Sequence, residues 1–147
     1  MAVELLAPPS VEIGLVTTNL APMVEFYETF LGLPFQLDLD FPGGTMKRYL
    51  IGDNTLKLVT YDEAPPATLT PGGGRAQTGV RYISLVVKNV TEAAEQVSAA
   101  GYEIVEPLTE FAALPGIGWF FRCRPPRRQL GGTRRPNVRT VYSSDVT

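Results

Sequence analysis

Between Val11 and Leu20 apolar and β-branched residues crowd together, in the order Val11-Glu12-Ile13-Gly14-Leu15-Val16-Thr17-Thr18-Asn19-Leu20, and a near copy stands 70 residues further on, from Arg81 to Val90. Each copy stops at an Asn and leads into an amphipathic segment that ends at a glycine, Gly32 in the first and Gly101 in the second. Repetition on that scale predicts a strand–helix unit used twice, burying a shared face, with function sought where the modules meet.

In the first module Val11 to Thr18 reads as a buried strand, and Asn19 is placed to cap the helix that follows. Leu20, Met23, Phe26, Tyr27, Phe30 and Leu31 recur at helical spacing, which predicts a helix from Leu20 to Leu31 with Pro22 tolerated in its first turn. Gly32-Leu33-Pro34 stops it. Three strands are then predicted at Phe35–Phe41, Met46–Ile51 and Thr55–Tyr61, separated by Pro42-Gly43-Gly44 and Gly52-Asp53-Asn54. Along the first of them Phe35, Leu37, Leu39 and Phe41 alternate with Gln36, Asp38 and Asp40, so one face is expected to be apolar.

From Asp62 to Gly79 the pattern disappears into Pro, Gly, Ala and Thr, as expected of a linker; Pro71-Gly72-Gly73-Gly74 lacks the Lys-Ser/Thr of a phosphate loop. The order then repeats. A strand is predicted at Val80–Lys88, a cap at Asn89, and a helix to Ala100 with Val90, Ala93, Ala94 and Val97 inward. Strands follow at Tyr102–Glu106 and Ile117–Arg122, joined by a long loop through Pro107 and Phe111. A fourth strand is due next, but the polar run Cys123-Arg124-Pro125-Pro126-Arg127-Arg128 is unsuited to a sheet interior.

Composition narrows the field. A chain of 147 residues with 44% apolar content can bury one sizeable core, and a formal charge of −2 gives no footprint for nucleic acid. Nothing at the N-terminus resembles a signal segment, and no run is long enough to span a bilayer, so a cytoplasmic protein without membrane partners is expected. The single cysteine fits a reducing compartment. There is no histidine, so the commonest transition-metal ligand and the usual neutral-pH acid/base are both missing.

Paired β-α-β-β-β modules with these patterns resemble the vicinal oxygen chelate superfamily, which includes glyoxalase I, methylmalonyl-CoA epimerase, extradiol dioxygenases, fosfomycin-resistance enzymes and bleomycin-binding proteins. The resemblance rests on Glu12 to Leu33, Asn54 to Tyr61 and Tyr82 to Gly101, and extends from Val11 to Arg122. It implies an α+β fold in which two βαβββ modules form a cupped mixed sheet around a small-molecule site. One glyoxalase-like domain is expected, with module one at 11–61, a linker at 62–79, module two at 80–122 and an atypical tail at 123–147.

The resemblance also implies where metal ligands would stand: Glu12 on the first strand, Lys57 on the fourth, Tyr82 in the second module, and a residue of the last strand. Only Glu12 is a ready ligand, because a charged Lys has no lone pair to offer and Tyr is a poor donor near neutral pH. No metal and no cofactor are therefore expected. One reading pairs Glu12 with Lys57 as a structural ion pair while Tyr82 fills space. The other uses Lys57 to neutralise an anionic or enolate oxygen, Glu12 to move a proton and Tyr82 to donate a hydrogen bond. Arg48 and Tyr49, and Trp119 beside Phe120 and Phe121, are further candidates to line an aromatic pocket, Trp119 the strongest for its stacking surface. Cys123 has no His to activate it.

The tail supports a separate inference. Codons compatible with Cys123 to Gly132, read one base later, encode Ala-Asp-Pro-Pro-Asp-Gly-Asn-Trp-Val-Glu, which resembles the Asp-Pro-Asp-Gly-Asn turn and Val-Glu strand that close the family's last module. A frameshift would have removed the final strand and its glutamate. The alternative is a divergent terminus in which Val138 to Tyr142 supplies an edge strand.

The expected function is a glyoxalase-like protein that acts on, or binds, a small carbonyl-bearing or anionic metabolite without the family's usual metal, by lyase or isomerase chemistry if it is catalytic. The alternative is a non-catalytic, drug-sequestering module of the bleomycin-resistance kind. The expected partner is a small-molecule ligand, and the reading allows a homodimer.

Overall fold

The computed structural model describes residues 7, 11–70, 75–114, 117–124 and 139–143, with side chains for all of these except 111–114, 117–120, 122, 124 and 139–143. The chain divides into two compact units, Met1–Ala67 and Thr68–Thr147, and the boundary falls inside the Pro- and Gly-rich stretch at 62–79.

The first unit is built from β1 (Glu12–Val16), α1 (Leu20–Val24) continuing as a π-helical segment (Glu25–Phe30), β2 (Phe35–Phe41), β3 (Gly44–Ile51) and β4 (Asn54–Tyr61). The helix is not α-helical to its end as the spacing predicted. Its last turns widen, with the Leu31 N–H donating five residues back to the Phe26 carbonyl at 2.9 Å. Met23, Phe26 and Tyr27 are buried, and the Phe26 and Tyr27 rings meet edge to face at 5.2 Å. Gly32, at φ 66°, takes the left-handed turn that lets the Leu33 N–H reach back to the Tyr27 carbonyl. Asn19 stands at the N-cap, but its side chain makes no capping bond. Thr17 Oγ1 instead accepts the Asn19 N–H at 3.0 Å.

The four strands pair in the order β1-β4-β3-β2. β1 runs parallel to β4, and the other pairs are antiparallel. Leu56, Leu58 and Tyr49 are fully buried on the face packed by the helix, where the Tyr49 hydroxyl donates to Glu28 Oε2 at 2.7 Å. Each Leu buried this completely contributes roughly 1.5–3 kcal/mol. The opposite face, left open by this unit, carries Glu12, Gly14 and Val16 from β1, Lys57 from β4, Met46, Arg48 and Leu50 from β3, and Leu37 and Leu39 from β2.

The expected alternation along β2 is corrected at one point. A bulge between Phe35 and Leu37 puts Phe35 opposite Tyr49 and Leu37 opposite Arg48, so the two apolar side chains lie on different faces. Phe35 meets the Tyr49 ring at 5.9 Å and lies under the Lys47 ammonium, which is itself paired with Asp38 at 2.8 Å. At the hairpin, Gly44 lets the Phe41 and Tyr61 rings close to 5.8 Å. A Cβ there would strike the Thr60 carbonyl oxygen and the Phe41 ring.

The second unit repeats the order as β5 (Ser84–Val86), α2 (Val90–Ala99), β6 (Glu103–Leu114), β7 (Ile117–Arg124) and β8 (Arg139–Ser143), paired β5-β8-β7-β6. Here the cap forms as predicted, with Asn89 Oδ1 accepting the Glu92 N–H at 3.0 Å. Val90, Val97, Tyr102, Phe121 and Cys123 are buried. β6 continues through what read as a loop. Its register shifts between Glu106 and Thr109, which accommodates Pro107 where a regular ladder would need an N–H.

The fourth strand that the polar run made improbable is present. β8 lies between β5 and β7, with Val141 facing Leu85 on one side and Phe121 on the other. It is an inner strand, neither missing nor at the edge. The Arg- and Pro-rich stretch at 125–138 that precedes it, where most of the shifted-frame segment would fall, lies outside the described residues.

Candidate functional site

On the open face of the first unit, strand register converts residues distant in sequence into neighbours. Gly14, Lys57 and Arg48 stand abreast on β1, β4 and β3, and Glu12 stands two residues before Gly14 on the same side of β1. The Arg48 guanidinium reaches past Lys57 to donate from Nη2 to Glu12 Oε1 at 2.7 Å, while the Lys57 ammonium engages Glu12 Oε2. One carboxylate thus bridges two cations, leaving a net charge of +1. Gly14 contributes no side chain, and a Cβ built there would meet nothing within 4 Å, so there is open space beside Lys57. The surroundings are apolar, with Val16, Leu37, Leu39, Leu50 and Tyr61 all exposed.

The hydrogen bond from Arg48, followed by that from Lys57, lowers the Glu12 pKa to about 2. Glu12 side-chain exposure is 46%, against 22% for Arg48 and 25% for Lys57. The carboxylate is therefore the solvent-facing member, held over the two cations. Since its folded pKa is depressed from 4.5, the stability it contributes is complete above that value and is lost as the pH falls toward 2. An NMR titration of the Glu12 side-chain carboxyl should have its midpoint near 2. A midpoint at the unperturbed 4.5 would mean that the cluster does not form in solution.

These residues do not fit the metal site that the resemblance implies. At the two carried-over positions in this unit one residue is a cation, and the carboxylate at the other has both oxygens engaged by cations, so an incoming divalent ion would meet two like charges before it met a donor. No group of three His, Cys, Asp or Glu side chains capable of holding a metal occurs among the described residues.

The remaining candidates are placed as follows. Tyr82 is half-exposed and precedes β5, because the second module's first strand begins only at Ser84. Tyr49 belongs to the helix-packed core and not to the open face, and burial together with Glu28 pushes its phenol well above the ordinary range. Trp119 lies on β7 between Glu110 and Ser143, and its side chain is outside those described. The Cys123 thiol is buried and raised to about 11, which keeps it protonated and unreactive at neutral pH.

Two features escaped the sequence reading. The bridging of Glu12 by Arg48 depends on register across three strands, and its only sequence signal was a charged residue on β3 at the face opposite Tyr49. The other is Thr140. Gly14 faces Lys57 in the first unit and Ser84 faces Thr140 in the second, so Thr140 holds the repeat position of Lys57.

Comparison with known proteins agrees with this architecture. The family model described as Glyoxalase/Bleomycin resistance protein/Dioxygenase superfamily matches residues 10–120. No curated protein matches. Among solved structures, a glyoxalase family protein from Enterococcus faecalis is similar with a TM-score of 0.64 at 17% identity, covering 90% of this chain and 93% of its own. A lactoylglutathione lyase from Agrobacterium tumefaciens gives 0.59 at 20% identity over 92% and 95% of the two chains. A fosfomycin resistance protein from Mesorhizobium loti gives 0.57 at 14% identity over 96% and 92%. At these identities the likeness carries the fold and not the reaction.

Proposed function

The chain belongs to the glyoxalase/bleomycin resistance protein/dioxygenase superfamily, and from that premise we propose that the open face of its first unit binds a small, anionic, carbonyl-bearing metabolite. The observation that carries this reading is the pair of cations, Arg48 and Lys57, converging on one carboxylate amid exposed apolar side chains. An anionic oxygen placed between them is neutralised by two charge-assisted contacts, and the flanking Leu37, Leu39 and Met46 take the ligand's carbon skeleton.

The same geometry supplies the parts for lyase- or isomerase-type proton transfer. Arg48 and Lys57 stabilise the enolate oxygen that develops when a C–H bond beside the carbonyl breaks. Glu12 takes the proton and returns it to carbon, so the step consumes no other reagent. The second reading, binding without chemistry, is favoured by one observation. With its pKa held at about 2, Glu12 is a weak base while both cations remain on it. In either reading the protein acts in the cytoplasm as a homodimer, and Tyr82 and Trp119 are candidate ligand contacts of the second unit.

Calorimetry with pyruvate and its neutral analogue pyruvamide tests the proposal. The carboxylate should bind about a hundredfold more tightly, the difference expected for two net charge-assisted contacts of roughly 1.5 kcal/mol each. Equal affinities would reject an anion site.

A further inference from the structure

Glu12 sits where a ligand would. Its two carboxylate oxygens are divided between the Arg48 guanidinium and the Lys57 ammonium, and it is the most solvent-facing of the three. We infer that Glu12 is a tethered occupant of the site, a built-in carboxylate that an incoming monocarboxylate must displace from Arg48 and Lys57. The inference rests on the anion-binding reading above and names the ligand chemistry more closely: a compact carboxylate whose two oxygens reproduce those of Glu12.

The physics of the competition follows from the geometry. A carboxylate attached to β1 acts at an effective concentration of ~1 mM or more at its own partners, with no association entropy to overcome. A free carboxylate of the same shape gains over it only through what Glu12 lacks, namely apolar contact with Leu37, Leu39 and Met46 and the open space beside Gly14. The site should therefore select an acid that carries a short carbon chain and reject bare acetate-sized anions. Displacement also changes Glu12. Once the ligand holds the two cations, the bonds that keep the carboxylate ionised are gone, and it becomes the stronger base that proton transfer requires.

The test measures pyruvate and pyruvamide binding by calorimetry in the wild type, in Glu12→Gln and in Glu12→Ala, with thermal melting to establish that each variant is folded. Glu12 is exposed, so both substitutions are expected to leave the fold intact. In both variants pyruvate should bind about tenfold more tightly than in the wild type, as expected when an internal competitor of this strength is removed, while pyruvamide is unchanged. The same variants should lose exchange of the pyruvate methyl protons with deuterated solvent, so tighter binding and lost exchange appear together. Unchanged or weakened pyruvate binding in both variants overturns the inference while leaving the anion site standing, provided the wild type still prefers pyruvate. If the wild type shows no preference for the carboxylate, the anion reading fails and this inference fails with it.

Discussion

A chain ending at Val138 is expected to lose the fold of its second unit. β8 is an inner strand, parallel to β5 through Ser84–Thr140, Leu85–Val141 and Val86–Tyr142, and antiparallel to β7 from Trp119–Ser143 to Cys123–Arg139. Removing it strips the ladder from one whole side of β7 and leaves β5, only three residues long, without a partner in its sheet. The loss is comparable to the entire stability of a domain this size, roughly 5–15 kcal/mol. Circular dichroism should show no cooperative transition for the second unit, and its amides should exchange freely. Val141→Pro, which deletes one N–H from the same inner strand, should cost at least about 3 kcal/mol. A truncated chain that melts like the full one would show that β8 contributes nothing. The frameshift reading, in which the last strand is absent from this chain, would then regain its structural footing.

Much of the architecture was legible because local chemistry and tertiary context agree. β1 and β4 carry β-branched residues between turn residues, and α2 starts at an Asn whose side chain caps it, so these elements were predicted within a residue or two. The errors occur where long-range pairing overrides local pattern. Nothing in Phe35-Gln36-Leu37 announces a bulge, which is set by how β2 docks on β3. The π-helical turns at Glu25–Phe30 preserve the apolar stripe that predicted an α-helix. β8 was read only as the alternative, an edge strand at Val138 to Tyr142; the strand at Arg139–Ser143 lies instead between β5 and β7, a pairing that no local pattern announces.

The candidate site shows the same division. Glu12 and Lys57 stood out as charged residues in apolar strands, Lys57 between the buried Leu56 and Leu58, and their pairing was one of two readings left open. The part played by Arg48 was not legible. It follows from a side chain long enough to cross β4 and from the absence of any side chain on Gly14. The second-module candidates, Tyr82 and Trp119, remain proposals, since one precedes its strand and the other's side chain is not described.

The largest functional effect is expected from removing both cations at once. Arg48→Met and Lys57→Met keep the apolar stems that cover the sheet and remove only the charged ends. Each charge-assisted hydrogen bond to an anion contributes roughly 1.5–3 kcal/mol, and the partial exposure of both side chains argues for the lower figure. Together they amount to about 3 kcal/mol, or about a hundredfold in affinity. Stability should change little, because Glu12 is exposed enough to be solvated once its partners are gone. Calorimetric titration of the folded double variant with pyruvate, set against the wild type, is the measurement that bears most directly on where this protein binds its ligand. Pyruvate affinity should fall by about a hundredfold while pyruvamide affinity stays the same. Wild-type pyruvate binding that survives the loss of both cations would contradict the account and place the ligand away from Arg48 and Lys57.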